Sequence, residues 1–288
     1  MTLTREQENQ FVEDGYTGPV QILPSAEMER LGQRVFEDVI VESEGSTYTY
    51  GVHTNRDRHL TSRALFEIVT HPVLMSCLTQ LLGPDVILWR TTAFYKPPAQ
   101  GDPSAPVGFG EIDWHQGIDF LKPAVDTTGL FPSIGVTRED NLNELPLNVT
   151  CWFAIDEATE QSGTLIFVPG SQQLGVVPYV ECSGGFHGMG LRPAIDGILD
   201  TNRAVIVPVE PGACLLFNNL VFHKSLPNTS CRRRLGVACR YVANKTPVYL
   251  HGDPTGFDLS RWACIQVAGR DVYGHNKIWS ESDLKLFD

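Results

Sequence analysis

The apolar positions change their period along the chain. Residues 4–14 carry them at helical spacing up to Gly15, and Ser25 is placed to cap a second helix in which Met28, Leu31, Val35 and Val39 share one face. A third helical region is expected over 61–82, interrupted at His71-Pro72 and closed by Gly83-Pro84. From Asp85 the texture becomes that of strands. Val86 to Tyr95 is rich in β-branched and aromatic residues, and similar runs follow at 148–155, 164–168, 204–209, 213–217 and 234–242. Turn signals such as Pro169-Gly170-Ser171 and Pro211-Gly212 separate them. Helices first and many short strands afterwards predict an α+β protein built on a β-sandwich or jelly roll. The stretches 97–112 and 121–147 show no period, and aperiodic segments of that length are usually functional loops or lids.

Length and composition bound the answer. A chain of 288 residues with 42% apolar and 19% charged residues can bury a sizeable core, and one domain is expected. Its parts would be a helical portion over 1–84, a core over about 85–245 and a C-terminal extension over 246–288. The formal charge of −12 argues against nucleic acid and anionic membranes as partners and leaves a small molecule as the expected one. Seven cysteines without a CxxC pair, mostly in apolar stretches, read as reduced core thiols. With no apolar leader and no run long enough to span a bilayer, the expectation is a soluble, cytoplasmic protein.

Two histidines carry the candidate chemistry. His115 lies in Asp113-Trp114-His115-Gln116-Gly117-Ile118-Asp119, and His223 in Phe222-His223-Lys224-Ser225, with Arg234 following at a short offset. Each histidine alone is more often structural than a ligand. Arg234 has a plain alternative as a surface charge, and Trp152 as a core residue.

The order of several segments resembles the phytanoyl-CoA dioxygenase family. They are Gln10 to Tyr16, Leu81 to Val86, Lys96-Pro97-Pro98, Trp114-His115-Gln116, Trp152 to Asp156, Gly163-Thr164-Leu165, Val168 to Gln172, and His223-Lys224-Ser225 with Asn228, Ser230 and Arg234. The resemblance implies a double-stranded β-helix that uses Fe(II), 2-oxoglutarate and O2. It makes His115 and His223 the metal ligands and Arg234 the partner of the distal carboxylate of 2-oxoglutarate. Ser225, Trp152 and Lys96 would help seat that cosubstrate. The chemistry agrees, since neutral imidazole suits iron(II) and a guanidinium forks onto a carboxylate.

One position departs from the family pattern. The carboxylate normally found two residues after the first histidine is here Gly117. Asp119 could not replace it along an extended strand, at about 13 Å from His115, whereas Asp113 would share a face with that histidine. Loss of the acid leaves a coordination position open. In this respect the chain resembles the halogenase subclass, in which chloride takes that place and a chlorine atom is returned to the substrate radical. The charge balance is preserved, because the halide restores the missing anion.

The substrate is read as a small anionic, phosphate-bearing metabolite. Likeness to stand-alone nucleotide halogenases of nucleoside-antibiotic pathways implies a deoxyadenosine monophosphate, with free amino acids and alkaloid-like scaffolds as the open alternatives and no carrier protein expected. His53, Arg56, Arg58, Arg232 and Arg233 are the candidate anion contacts. Two other readings stay open: a hydroxylase of the same family, and a non-catalytic relative serving as a binding module.

Overall fold

A computed structural model describes residues 2–42, 56–100, 110–117, 147–177, 179–183, 191–248 and 259–284. Among the described residues four α-helices precede Val86, α1 (Arg5–Asp14), α2 (Ser25–Phe36), α3 (Arg63–Val69) and α4 (Pro72–Leu82), but a strand lies between the first two, so the helices do not all come before the strands as expected. Thr4 and Gln7 close α1 with a capping box, and Gly15 ends it in the left-handed conformation. The second helix starts where expected but not by the expected device. Pro24 is its N-cap residue, and the Ser25 hydroxyl instead donates to the Pro211 carbonyl at 3.1 Å. His71 caps α4 ahead of Pro72, which fits proline at a first helical position.

The first strands are β1 (Tyr16–Gln21), β2 (Val86–Lys96), β3 (Ile112–His115), β4 (Asn148–Ala154), β5 (Leu165–Phe167), β6 (Tyr179–Glu181) and β7 (Leu191–Pro193). The rest are β8 (Val205–Val207), β9 (Ala213–Asn218), β10 (His223–Ser225), β11 (Arg234–Ala243), β12 (Cys264–Ala268) and β13 (Ile278–Trp279). A seven-stranded sheet runs β1-β9-β4-β11-β2-β12-β13, a four-stranded sheet runs β3-β10-β5-β8, and β6 pairs with β7. The large sheet therefore reaches beyond the 85–245 expected for it, taking in β1 at one edge and β12 and β13 at the other.

Alternation along the strands divides the large sheet into two faces. Leu235, Val237 and Cys239 of β11, with Val149, Cys151 and Phe153 of β4, pack against Met28, Val35, Leu65, Ile68, Leu74 and Leu78 of the helices. The opposite face, with Trp152, Ala154, Leu215, Phe217 and Ala238, packs against Leu165, Phe167 and Val207 of the small sheet. The molecule is thus α+β, with helices covering the outer face of the large sheet and an interior between the two sheets. Five cysteines (77, 151, 214, 239 and 264) are buried, and burial pushes the Cys77 thiol up to about 11. Among the described residues no single helix is long and apolar enough to cross a membrane.

Candidate active site

The two histidines meet across the small sheet. His223 is the direct partner of His115 in the antiparallel β3–β10 ladder, and their ring centroids lie 4.1 Å apart. Both rings are oriented in the same way. Nδ1 of His115 lies 2.8 Å from the Asp113 carbonyl, and Nδ1 of His223 lies 3.0 Å from the Val221 carbonyl. A carbonyl can only accept, so Nδ1 carries the proton in each ring and Nε2 keeps its lone pair for a metal. His223 is buried between Phe167 and Phe217, and burial pushes its pKa down to about 4, so it stays neutral and able to ligate.

The neighbouring residues hold this pair in register. Buried Gln116 donates to the Gly175 and Leu220 carbonyls, both at 2.7 Å, and accepts from the Val177 amide. Ser171 accepts the Phe222 amide hydrogen at 2.8 Å, and Gln172 donates to the carbonyls of Val12 and Glu13. The Pro-Gly-Ser-Gln turn thereby ties the end of α1 to the strand that carries His223.

Gly117 is buried, and its amide donates to the Asn219 carbonyl at 2.7 Å. A β-carbon built there would meet Asn219 at 3.4 to 3.6 Å, which is ordinary contact, and the backbone is not in the left-handed region. Neither strain nor crowding requires glycine at this position. Asp113 does not compensate for it: the side chain is exposed and its Oδ1 accepts from the Trp114 amide at 2.7 Å. Among the described residues no cluster of three or more His, Cys, Asp or Glu side chains is placed to hold a metal. Asp119 lies outside the described residues, as do His53 and most of the aperiodic stretches 97–112 and 121–147.

A cationic end lies at the start of β11. Arg234 is buried; its guanidinium donates to the Phe94 carbonyl at 3.2 Å and to the Gly163 carbonyl, and lies 5.3 Å from the centre of the Trp152 ring. Its Nε is buried without a hydrogen-bond partner, and burial pushes its pKa down to about 9. Lys96, the register partner of Arg234, donates to the Gly110 and Leu226 carbonyls and is lowered to about 7, by burial first and Arg234 second. Ser225 is buried two residues beyond His223 on the same strand face, and its Oγ also lacks a partner. Asn228 shapes the turn before β11, donating to the Lys96, Pro97 and Arg232 carbonyls.

The arginines expected to hold an anion are mostly used otherwise. Arg58 is buried and spends its donors on Thr61 Oγ1 and the Asp38 and Glu42 carbonyls. Arg233 pairs with Asp156 at 3.2 Å and stacks on Phe36, and exposed Arg232 lies 3.8 Å from Glu157. Two arginines that sequence reasoning missed are instead brought together. Arg90 and Arg240 are register partners across β2 and β11, both buried, with Arg56 and buried Asp57 beside them. An arginine inside an apolar strand, in phase with Arg234, was the available signal.

Comparison with known proteins places these features in a family. The model described as Phytanoyl-CoA dioxygenase (PhyH) matches residues 11–236. A phytanoyl-CoA dioxygenase domain-containing protein 1 homolog from Caenorhabditis briggsae is 32% identical over 137 residues, 41% of this chain; the match spans 46% of that relative's length. A methylphosphonate hydroxylase from Gimesia maris is 24% identical over 252 residues, covering 84% of this chain and 82% of the relative. A solved structure described as CytC3 with Fe(II) and alpha-ketoglutarate superposes with a TM-score of 0.71 at 25% identity, covering 96% of this chain and 94% of the other.

Proposed function

Because the chain belongs to the phytanoyl-CoA dioxygenase family, we propose that it is an iron(II)- and 2-oxoglutarate-dependent halogenase acting on a small anionic metabolite. In this reading the two packed sheets are one double-stranded β-helix, and the whole chain is one catalytic unit working in the cytoplasm. The likeness to the CytC3 structure, which contains Fe(II) and alpha-ketoglutarate, supports the choice of cofactors.

The donor set fits the metal. Two imidazoles 4.1 Å apart at their centroids have their Nδ1 protons taken by backbone carbonyls, which leaves each Nε2 lone pair suited to a metal, and aromatic walls keep His223 unprotonated. Arg234 and Ser225 fit a dicarboxylate. A buried guanidinium with an unengaged Nε and a buried hydroxyl without a partner are groups that native interiors seldom leave unused. Trp152 backs the guanidinium, and Lys96, its register partner, is held beside it by the Gly110 and Leu226 carbonyls. With iron(II), 2-oxoglutarate and O2 bound, the chemistry supplied is oxidative decarboxylation coupled to hydrogen removal from an unactivated carbon, and with chloride at Gly117 the atom transferred is chlorine.

The observation that carries the halogen reading is Gly117 itself. Its surroundings accept a β-carbon, so neither backbone strain nor crowding of a β-carbon requires glycine there, and exposed Asp113 accepts from the Trp114 amide. A monovalent anion beside the histidines would restore the charge that the family's acidic ligand supplies. An anionic, phosphate-bearing substrate such as a nucleotide, deoxyadenosine monophosphate among them, is the reading carried over from the sequence; buried Arg90 and Arg240 add positive charge to the interior, with Arg90 3.6 Å from Asp57 and Arg240 donating to Thr92 Oγ1. The substrate is taken free, without a carrier protein.

The test is product mass. Enzyme loaded anaerobically with iron, 2-oxoglutarate, chloride or bromide and a panel of nucleotides and other anionic metabolites is exposed to O2. A product whose added mass follows the halide is expected. Oxygenated product alone, across substrates that turn over, would establish instead the hydroxylase reading favoured by the name of the Gimesia maris relative.

A further inference from the structure

Asn219 packs against Gly117. The three atoms nearest to a β-carbon at Gly117 all belong to Asn219, the residue after β9. Asn219 is only 2% exposed. Its Oδ1 accepts the Asn148 amide hydrogen at 3.4 Å, and the Asn219 amide donates back to the Asn148 carbonyl at 3.1 Å. Only the oxygen of a carboxamide can accept, so this contact fixes which way the amide is turned. Among the described residues the buried amide nitrogen Nδ2, with its two hydrogens, has no acceptor. Buried donors of this kind are rare unless an occupant satisfies them.

We infer that the Asn219 side-chain amide is the protein's hydrogen-bond donor to a halide bound beside Gly117. The inference rests on the halogenase reading and adds a halide-selecting residue to it. An N–H group that donates to a halide stabilises the anion that replaces the carboxylate, while a carboxylate in place of the amide would repel it. Asn148 acts through Asn219, engaging its Oδ1 and leaving Nδ2 as the unengaged donor.

Chloride affinity reads this directly, without turnover. The anaerobic enzyme with iron(II) and 2-oxoglutarate is titrated with chloride, following the visible charge-transfer band of the chelate, for wild type, Asn219→Ala and Asn219→Asp. Asn219→Ala is expected to raise the chloride Kd by roughly tenfold or more, the loss of one hydrogen bond to an anion, with 2-oxoglutarate affinity unchanged. Asn219→Asp keeps the shape and the acceptor for Asn148 and is expected to abolish saturation. It keeps the test intact should the alanine variant misfold. Wild-type chloride affinity in both variants would overturn the role of Asn219 and leave the halide reading standing. A wild-type band that chloride does not move would overturn both.

Discussion

Gly236 and Trp152 are locked together across the β4–β11 ladder: a β-carbon on Gly236 would lie 2.1 Å from Cζ2 of the Trp152 ring. The indole occupies the space that any side chain on that face of β11 would need, and so comes to lie against the Arg234 guanidinium. Gly236→Ala is therefore expected to cost about 1–3 kcal/mol by overpacking and to weaken 2-oxoglutarate binding at the same time. Urea unfolding and a 2-oxoglutarate titration check the two effects, and an unchanged cosubstrate affinity would separate Trp152 from the Arg234 site.

Gly117 tolerates substitution by geometry. Gly117→Ala should fold with a stability within about 1 kcal/mol of wild type and still chlorinate, because methyl contact with Asn219 is ordinary and no ligand is added. Gly117→Asp should shift product from halogenated to hydroxylated, or stop turnover. Mass spectrometry of the products decides, and undiminished chlorination by the aspartate variant would be incompatible with a halide at this position.

Arg234 offers a planar fork that lysine lacks. Arg234→Lys keeps a charge but loses the paired geometry and the contacts to the Phe94 and Gly163 carbonyls. The expected effect is a rise in KM for 2-oxoglutarate of roughly tenfold to a hundredfold. Steady-state kinetics at saturating substrate measures it, and a KM equal to wild type would place the distal carboxylate elsewhere.

His59 makes the fold acid-sensitive. Its Nδ1 lies 2.9 Å from Thr91 Oγ1, and burial, with Arg90 adding to it, pushes its pKa down to about 3. In the unfolded chain an imidazole protonates near pH 6.5, so between about pH 6.5 and 3 the unfolded state binds the extra proton and stability falls as pH falls. At pH 5 this amounts to about 2 kcal/mol relative to neutral pH. Urea unfolding of wild type and His59→Gln at pH 7 and 5 should show the smaller loss in the variant, and equal losses would refute the assignment.

The sequence exposes long elements better than short ones. Helix α1 and the run from Val86 to Tyr95 are legible because each has enough residues to show a period and a stop signal. Strands β3 and β10 are not, because four and three residues cannot show alternation, although they carry both histidines. The meeting of His115 with His223 is a register between strands far apart in the chain, and only the resemblance to a family suggested it. The pairing of Arg90 with Arg240 escaped for the same reason: each sits in an apolar run that reads as core, and their adjacency exists only in the folded sheet.

The central claim is a metal held by His115 and His223 with an exogenous halide in place of a protein carboxylate. X-ray absorption at the iron edge, on anaerobic enzyme containing iron(II), 2-oxoglutarate and bromide, tests it without knowledge of the substrate. A bromide scatterer directly bonded to iron in the wild type, and absent in Gly117→Asp, is the expected result. Nitrogen and oxygen neighbours alone in the wild type would contradict it.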